Sequence, residues 1–124
     1  MNIVDSSGWL AVFADESNAK QFLVPLRDSA RLVVPTVTIF EVFKVALRES
    51  GENKALQVLA AMQKGKVVEL TAKLAAAASR LSLELRLPMA DSIILATAQD
   101  YGAVVWTKDA DFKDIRGVKY FPKR

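Results

Sequence analysis

Residues 88–107 read Pro88-Met89-Ala90-Asp91-Ser92-Ile93-Ile94-Leu95-Ala96-Thr97-Ala98-Gln99-Asp100-Tyr101-Gly102-Ala103-Val104-Val105-Trp106-Thr107. This stretch decides the fold class. Proline is accepted at the opening of a helix, where its missing N–H would be unpaired anyway. Gly102 stands where a helix closes through a left-handed residue. The spacing therefore predicts a helix from Pro88 to Tyr101. It empties directly into a short apolar strand, residues 103–106.

Outward from this unit the same alternation repeats. Upstream, residues 66–70 form a strand, and Thr71 caps an Ala/Leu-rich helix to about Arg86. Before that, Thr36 or Thr38 caps a helix over residues 39–49, Gly51 breaks it, and a further helix runs through Leu56, Leu59, Ala60 and Met62. Residues 31–34 read as a strand stopped by Pro35. Residues 18–28 read as a helix capped by Ser17. Residues 2–5 form the first strand, followed by a helical start at Ser6 or Ser7 that continues through Trp9, Leu10 and Phe13. Downstream, residues 118–121 are the last strand. Strands separated by helices imply a parallel sheet with helices on its faces. Short strands without clean alternation fit a sheet covered on both sides. The expected fold is α/β, a three-layer α/β/α sandwich on a short central parallel sheet, built as a single domain over residues 1–124.

Composition removes several chemistries. The 124 residues contain no Cys and no His. That excludes a disulfide framework, a thiol nucleophile, a zinc ribbon and an imidazole base. Catalysis, if present, must use carboxylates, hydroxyls, lysines or an oxygen-bound metal. The absent Cys permits a reducing, cytoplasmic setting, and no leader or membrane span is visible. A net charge of +3 permits a polyanionic partner without requiring one.

The acids decide what remains. Asp5 ends the first strand, and Asp109 follows the strand at 103–106. Parallel strands end on the same side, so both fall on one sheet edge. Asp91 sits in the first turn of the helix opened by Pro88, and Glu41 in the first turns of the helix after Pro35. Taken singly, each has an ordinary explanation. Asp5 is a suitable N-cap, and Asp91 a first-turn acid favoured by the helix dipole. Glu41 with Lys44 and Arg48 would make a solvated salt-bridged stripe. Asp109 and Asp111 suit a turn. Taken together they conflict with folding. Two carboxylates about 5 Å apart repel by roughly 3 kcal/mol at an effective dielectric near 20. Convergence of all of them demands a cation or raised pKa values. Mg²⁺ or Mn²⁺, which prefer oxygen ligands, would resolve it.

Four segments then carry a resemblance: Ile3-Val4-Asp5-Ser6-Ser7, Pro35-Thr36-Val37-Thr38-Ile39-Phe40-Glu41-Val42, Pro88 to Ala98, and Val104-Val105-Trp106-Thr107-Lys108-Asp109-Ala110-Asp111-Phe112. In that order and spacing the chain resembles a PIN domain, specifically the short VapC-type toxin of toxin–antitoxin pairs. The resemblance implies a metal-dependent endoribonuclease in which Asp5, Glu41, Asp91 and Asp109 are catalytic and bind Mg²⁺ or Mn²⁺. Asp111 stands as an alternative or auxiliary fourth acid. Ser6 or Thr107 would contribute a hydroxyl contact. It further implies hydrolysis to a 5′-phosphate and a 3′-hydroxyl, pairing as a homodimer, and blockage by an antitoxin whose tail fills an apolar groove.

Lys44, Arg48 and Lys108 lie closest in sequence to these acids and are the expected attraction for an RNA backbone. Lys113, Arg116, Lys119, Lys123 and Arg124 make the C-terminal end basic. Trp9, Phe13, Phe22, Phe40 and Phe43 are expected mostly in the core, with a partner groove as the alternative. A receiver-like phosphoacceptor domain is disfavoured, because Leu70-Thr71 at the end of the third strand offers no acceptor Asp. A catalytically silent RNA- or protein-binding module is the remaining competitor.

Overall fold

The computed structural model describes residues 1–16 and 19–122. The expected Ser17 cap, the first residue of the helix it would open, and the basic Lys123 and Arg124 lie outside the described residues. The elements run β1 (Asn2–Val4), α1 (Ser6–Phe13), α2 (Lys20–Arg27), β2 (Val33–Pro35), α3 (Thr36–Ser50), α4 (Glu52–Met62), β3 (Lys66–Val68), α5 (Ala72–Leu85), α6 (Met89–Tyr101), β4 (Val104–Thr107) and β5 (Val118–Tyr120). Short 3₁₀ turns at Ser29–Arg31 and Ala110–Phe112 precede β2 and follow β4.

Every ladder is parallel. β4 lies between β1 and β5, β2 pairs with β3, and an isolated Asn2–Leu32 bridge joins the two ladders. The composite order is β3-β2-β1-β4-β5. The chain winds outward from β1 through β2 to β3, then returns to the other side of β1. The β1/β4 boundary is thus the topological switch point, where open α/β sheets bind ligands beyond their strand ends.

Strand side chains alternate between faces, and that alternation builds two cores. Ile3, Val33 and Val105 face one way, against Leu74 and Ala78 of α5 and Ile93 to Leu95 of α6. Val4, Val34 and Trp106 face the other way, against Trp9, Phe22, Val42, Ala46, Ala55 and Met62 from α1 to α4. Both sheet faces are therefore dry, as a three-layer sandwich requires. The Trp106 indole N–H donates to Asn2 Oδ1 at 2.9 Å, which gives that partly buried dipole a partner across β1 and β4.

The element ends differ from expectation at several points. α2 spans Lys20–Arg27, inside the range expected for it. Pro35 does not stop β2. It is the last paired residue of the strand, in register with Val68, and its extended backbone then leads into α3. Proline is tolerated there because it ends the ladder. α3 consequently begins at Thr36, and neither Thr36 nor Thr38 caps it. Thr38 is wholly buried with its hydroxyl unpaired among the described residues. Thr71 does cap α5, accepting from Leu74 N at 3.2 Å. Of the aromatics, Trp9 and Phe22 are buried and Phe43 partly so, whereas Phe13 and Phe40 are exposed. No helix among the described residues is long and apolar enough to cross a membrane.

Gly8 fixes how closely α1 approaches the sheet. A Cβ there would lie 2.5 Å from Val4 Cγ1 and 2.8 Å from Phe22 Cδ1. Helix propensity favours Ala over Gly by up to about 1 kcal/mol. Overpacking a close-packed core costs about 1–3 kcal/mol and outweighs it. Gly8→Ala is expected to lower the thermal midpoint by roughly 5 °C. An unchanged or raised midpoint in a calorimetric scan would show that α1 can lift off the sheet freely.

Candidate active site

β1 ends at Val4, and Asp5 follows as the N-cap of α1. Its Oδ1 accepts the Ser7 hydroxyl at 2.6 Å and the Gly8 N–H at 3.2 Å. Its Oδ2 accepts the Thr107 hydroxyl at 2.8 Å. The capping role is real, and through Thr107 the same carboxylate ties the end of β1 to the end of β4. Asp109 follows β4. Its N–H donates to Thr107 Oγ1 at 2.9 Å, and its Oδ1 accepts the Asp111 N–H at 2.9 Å, which opens the 3₁₀ turn. That turn places Asp111 beside Asp109. Asp91 enters from the first turn of α6 and is only 8% exposed. Glu41, in α3, accepts the Ser6 hydroxyl at 3.0 Å.

The tightest grouping is Asp91, Asp109 and Asp111. One carboxylate oxygen from each lies within 4.8 Å of the others. Asp109 and Asp111, alternatives in the sequence, both converge on Asp91. Asp5 and Glu41 stand outside this trio, yet both act on Asp91 electrostatically. Burial first, then the charges of Asp109, Asp5, Asp111 and Glu41, push the Asp91 carboxyl up to about 8. Asp5 is raised to about 6 by burial, with a further contribution from Asp109. The hydrogen bonds from Ser7, Thr107 and Gly8 only partly oppose this.

No described cation relieves this convergence. Lys108 is buried, and its ammonium is paired with Glu16. Lys44 lies over the Phe40 ring, and Arg48 reaches Glu49 at 3.3 Å. The salt-bridged stripe of Glu41, Lys44 and Arg48, the ordinary alternative for Glu41, therefore does not form; Glu41 turns to Ser6 instead. Carboxylates supply the whole donor set, with hydroxyls holding two of them. Such a set suits a hard divalent cation with several retained waters and is poor for zinc. Burial and the neighbouring acids raise the Asp91 carboxyl, so the described side chains leave the charge of the cluster uncompensated.

Two further residues support the site beyond those expected from the sequence. Ser7 holds Asp5, and its oxygen also accepts the Lys108 N–H at 3.0 Å. Glu16 holds the Lys108 side chain across the fold. A hydroxyl just after a strand-end acid is a usable signal for Ser7. Nothing local marks Glu16, which is 92 residues from its partner.

With this geometry in place, the PIN domain family profile matches residues 3–118. Among solved structures, a chain of a toxin–antitoxin complex from Klebsiella pneumoniae is similar over 99% of this chain and 100% of its own. It has 23% identity and a TM-score of 0.85. A sarcin–ricin-loop-cleaving VapC toxin of Mycobacterium tuberculosis is similar over 98% and 100%, with 19% identity and a TM-score of 0.80. A chain of a DNA-bound VapBC complex from Salmonella typhimurium is similar over 98% of both chains, with 17% identity and a TM-score of 0.73. At these identities the likeness is one of fold. No curated protein sequence matches the chain.

Proposed function

Because the chain belongs to the PIN domain family, shown by a match over residues 3–118, we propose that it is a divalent-metal-dependent endoribonuclease, the toxin of a toxin–antitoxin pair. The observation that carries this reading is the convergence of Asp91, Asp109 and Asp111 at the switch point of the sheet, with Asp5 and Glu41 close enough to act on Asp91. Asp91, Asp109 and Asp111 would hold Mg²⁺ or Mn²⁺, with Asp5 and Glu41 completing the charge. When bound, such an ion acidifies water and stabilises negative charge on phosphate oxygens.

The remaining work falls to the chain's own side chains. Ser6 fixes one oxygen of Glu41 at 3.0 Å. The other oxygen is left to orient the attacking water and take its proton. Ser7 and Thr107 hold Asp5 rigidly, so its charge stays fixed as the phosphate moves. Attack by external water leaves a 5′-phosphate and a 3′-hydroxyl.

The partner readings have their own support. An open cleft of about 460 Å³ is lined by Ile39, Phe40, Phe43, Leu47 and Leu59, with Lys44 among them. Phe40 is 56% exposed there. An apolar helical groove of this kind suits the tail of an antitoxin, and the similar Klebsiella and Salmonella chains come from toxin–antitoxin complexes. A second apolar patch, at Leu70, Leu83 and Met89 between α5 and α6, suits a homodimer contact. The proposed setting is cytoplasmic.

The test is cleavage of a mixed RNA pool by wild type and Asp91→Asn, each with Mn²⁺, Mg²⁺ or EDTA. Metal-dependent cutting with 5′-phosphate ends, lost in the variant, is the expected result. Well-folded, antitoxin-free protein that cuts nothing across a broad RNA set would point instead to the silent binding module.

A further inference from the structure

A second cleft opens beside the acids, at the carboxyl ends of β4 and β5. Its volume is about 560 Å³, within the range of small-ligand sites. Ser7, Lys108, Asp109, Ala110, Tyr120 and Pro122 line it. It shares Asp109 with the acidic trio, so whatever occupies it lies against the proposed reaction centre. The β4–β5 register pairs Thr107 with Tyr120, and paired residues of a parallel ladder present their side chains to one face. Thr107 uses that face to reach Asp5. The half-buried Tyr120 ring is thereby set on the same side as the acids.

The chemistry of the walls selects the occupant. Lys108 is the cleft's cation, but Glu16 already neutralises it. Asp109 contributes a negative charge. The Ser7 hydroxyl is committed to Asp5 and to the Lys108 N–H. Among the described residues that line the cleft, a phosphate would find no free positive charge. A flat neutral group would find an aromatic ring, the Ala110 methyl and the Pro122 ring. Proteins bind single-stranded RNA by splaying bases onto aromatic side chains. We infer that this cleft takes one nucleobase of a single-stranded RNA, next to the phosphate to be cut, stacked on Tyr120. The choice of ligand rests on the ribonuclease reading; the binding readout does not.

The test measures binding rather than turnover. A defined ten-nucleotide single-stranded RNA containing all four bases is labelled with fluorescein. It is titrated into Asp91→Asn protein carrying Tyr120, Tyr120→Phe or Tyr120→Leu, and an abasic site is walked along the RNA. Stacking predicts that Tyr120→Leu weakens binding about tenfold and that Tyr120→Phe stays within about twofold. It also predicts that one abasic position costs about tenfold with Tyr120 present and nothing further in Tyr120→Leu. Coupling of this kind is not produced by a fold defect, and Tyr120→Phe controls for the edge strand. Fully additive losses at every position would overturn the inference. Wild-type cleavage of the same RNA and of the mixed RNA pool is assayed in parallel. Cleavage with additive losses removes the base site and leaves the nuclease. Coupled losses without cleavage keep the base site and remove the nuclease. Absence of both removes both.

Discussion

Asp91→Asn is expected to raise the melting temperature of the metal-free protein at pH 8 while abolishing its cleavage of RNA. Burial and four neighbouring acids lift the Asp91 carboxyl from 3.8 to about 8. In the unfolded chain at pH 8 this group is ionised. On folding it must either take up a proton or sit charged among other charges, and each costs free energy. The amide has nearly the same shape and no charge to suppress. Every tenfold change in the proton affinity of a group on folding corresponds to about 1.4 kcal/mol. Screening at the solvent side of the cluster, where Asp111 is exposed, reduces the gain to roughly 2 kcal/mol. In a domain of this size that is about 5–10 °C. At pH 4 most of the gain should vanish, because Asp91 is protonated when folded and about two-fifths so when unfolded. In saturating Mn²⁺ the order should reverse, since the amide is the poorer ligand. Activity should fall by about a hundredfold or more. Circular dichroism melts at pH 4 and pH 8 with EDTA, beside a cleavage assay, decide it. A lower midpoint for the variant at pH 8 would mean that Asp91 serves the fold and not a bound cation.

The placement of the acids by local structure accounts for what the sequence can reveal. The positions of Asp5, Asp91 and Asp109 are legible because strand ends and helix starts place them. Asp5 must be at the end of β1 if Ile3 and Val4 are strand, and Asp91 must be in the first turn if Pro88 opens α6. Local rules fix such positions, and the parallel sheet carries them to one edge. What local rules could not give was which acids approach most closely. That depends on the 3₁₀ turn after Asp109, which brings Asp111 into the trio, and on the Ser7 and Thr107 hydroxyls, which hold the Asp5 oxygens. Caps were harder still. Thr36 and Thr38 look like caps before an apolar run, but the helix begins earlier because Pro35 remains extended in the ladder with Val68. Lys108 reads in the sequence as a basic group close to the acids. Its burial against Glu16 is a tertiary contact that no window of sequence contains.

The second large effect is the dependence of the melting temperature on pH and divalent metal together. Both perturbed acids are shifted upward, Asp5 to about 6 and Asp91 to about 8. An acid whose folded pKa is raised contributes its full stability below the unfolded pKa, near 3.8 for both groups. That contribution is lost as pH rises through the folded value. Metal-free protein should therefore melt at progressively lower temperature from pH 4 to pH 8, through both acids up to about pH 6 and through Asp91 alone above it. A divalent cation binds the ionised cluster and competes with the proton. Its stabilisation should thus be small at pH 5 and large at pH 8. At a hundredfold excess over its dissociation constant it adds about 2.7 kcal/mol, or roughly 10 °C. Mg²⁺ and Mn²⁺ should both act, since the described donors are all oxygen. A grid of melting curves over pH 4–8.5, with EDTA, Mg²⁺ or Mn²⁺, makes the comparison. A metal increment independent of pH would place the ion away from Asp5 and Asp91. A midpoint that rises with pH in EDTA would mean that the acids are not crowded as the fold places them, and the electrostatic argument for a metal at the β1/β4 edge would fall with it.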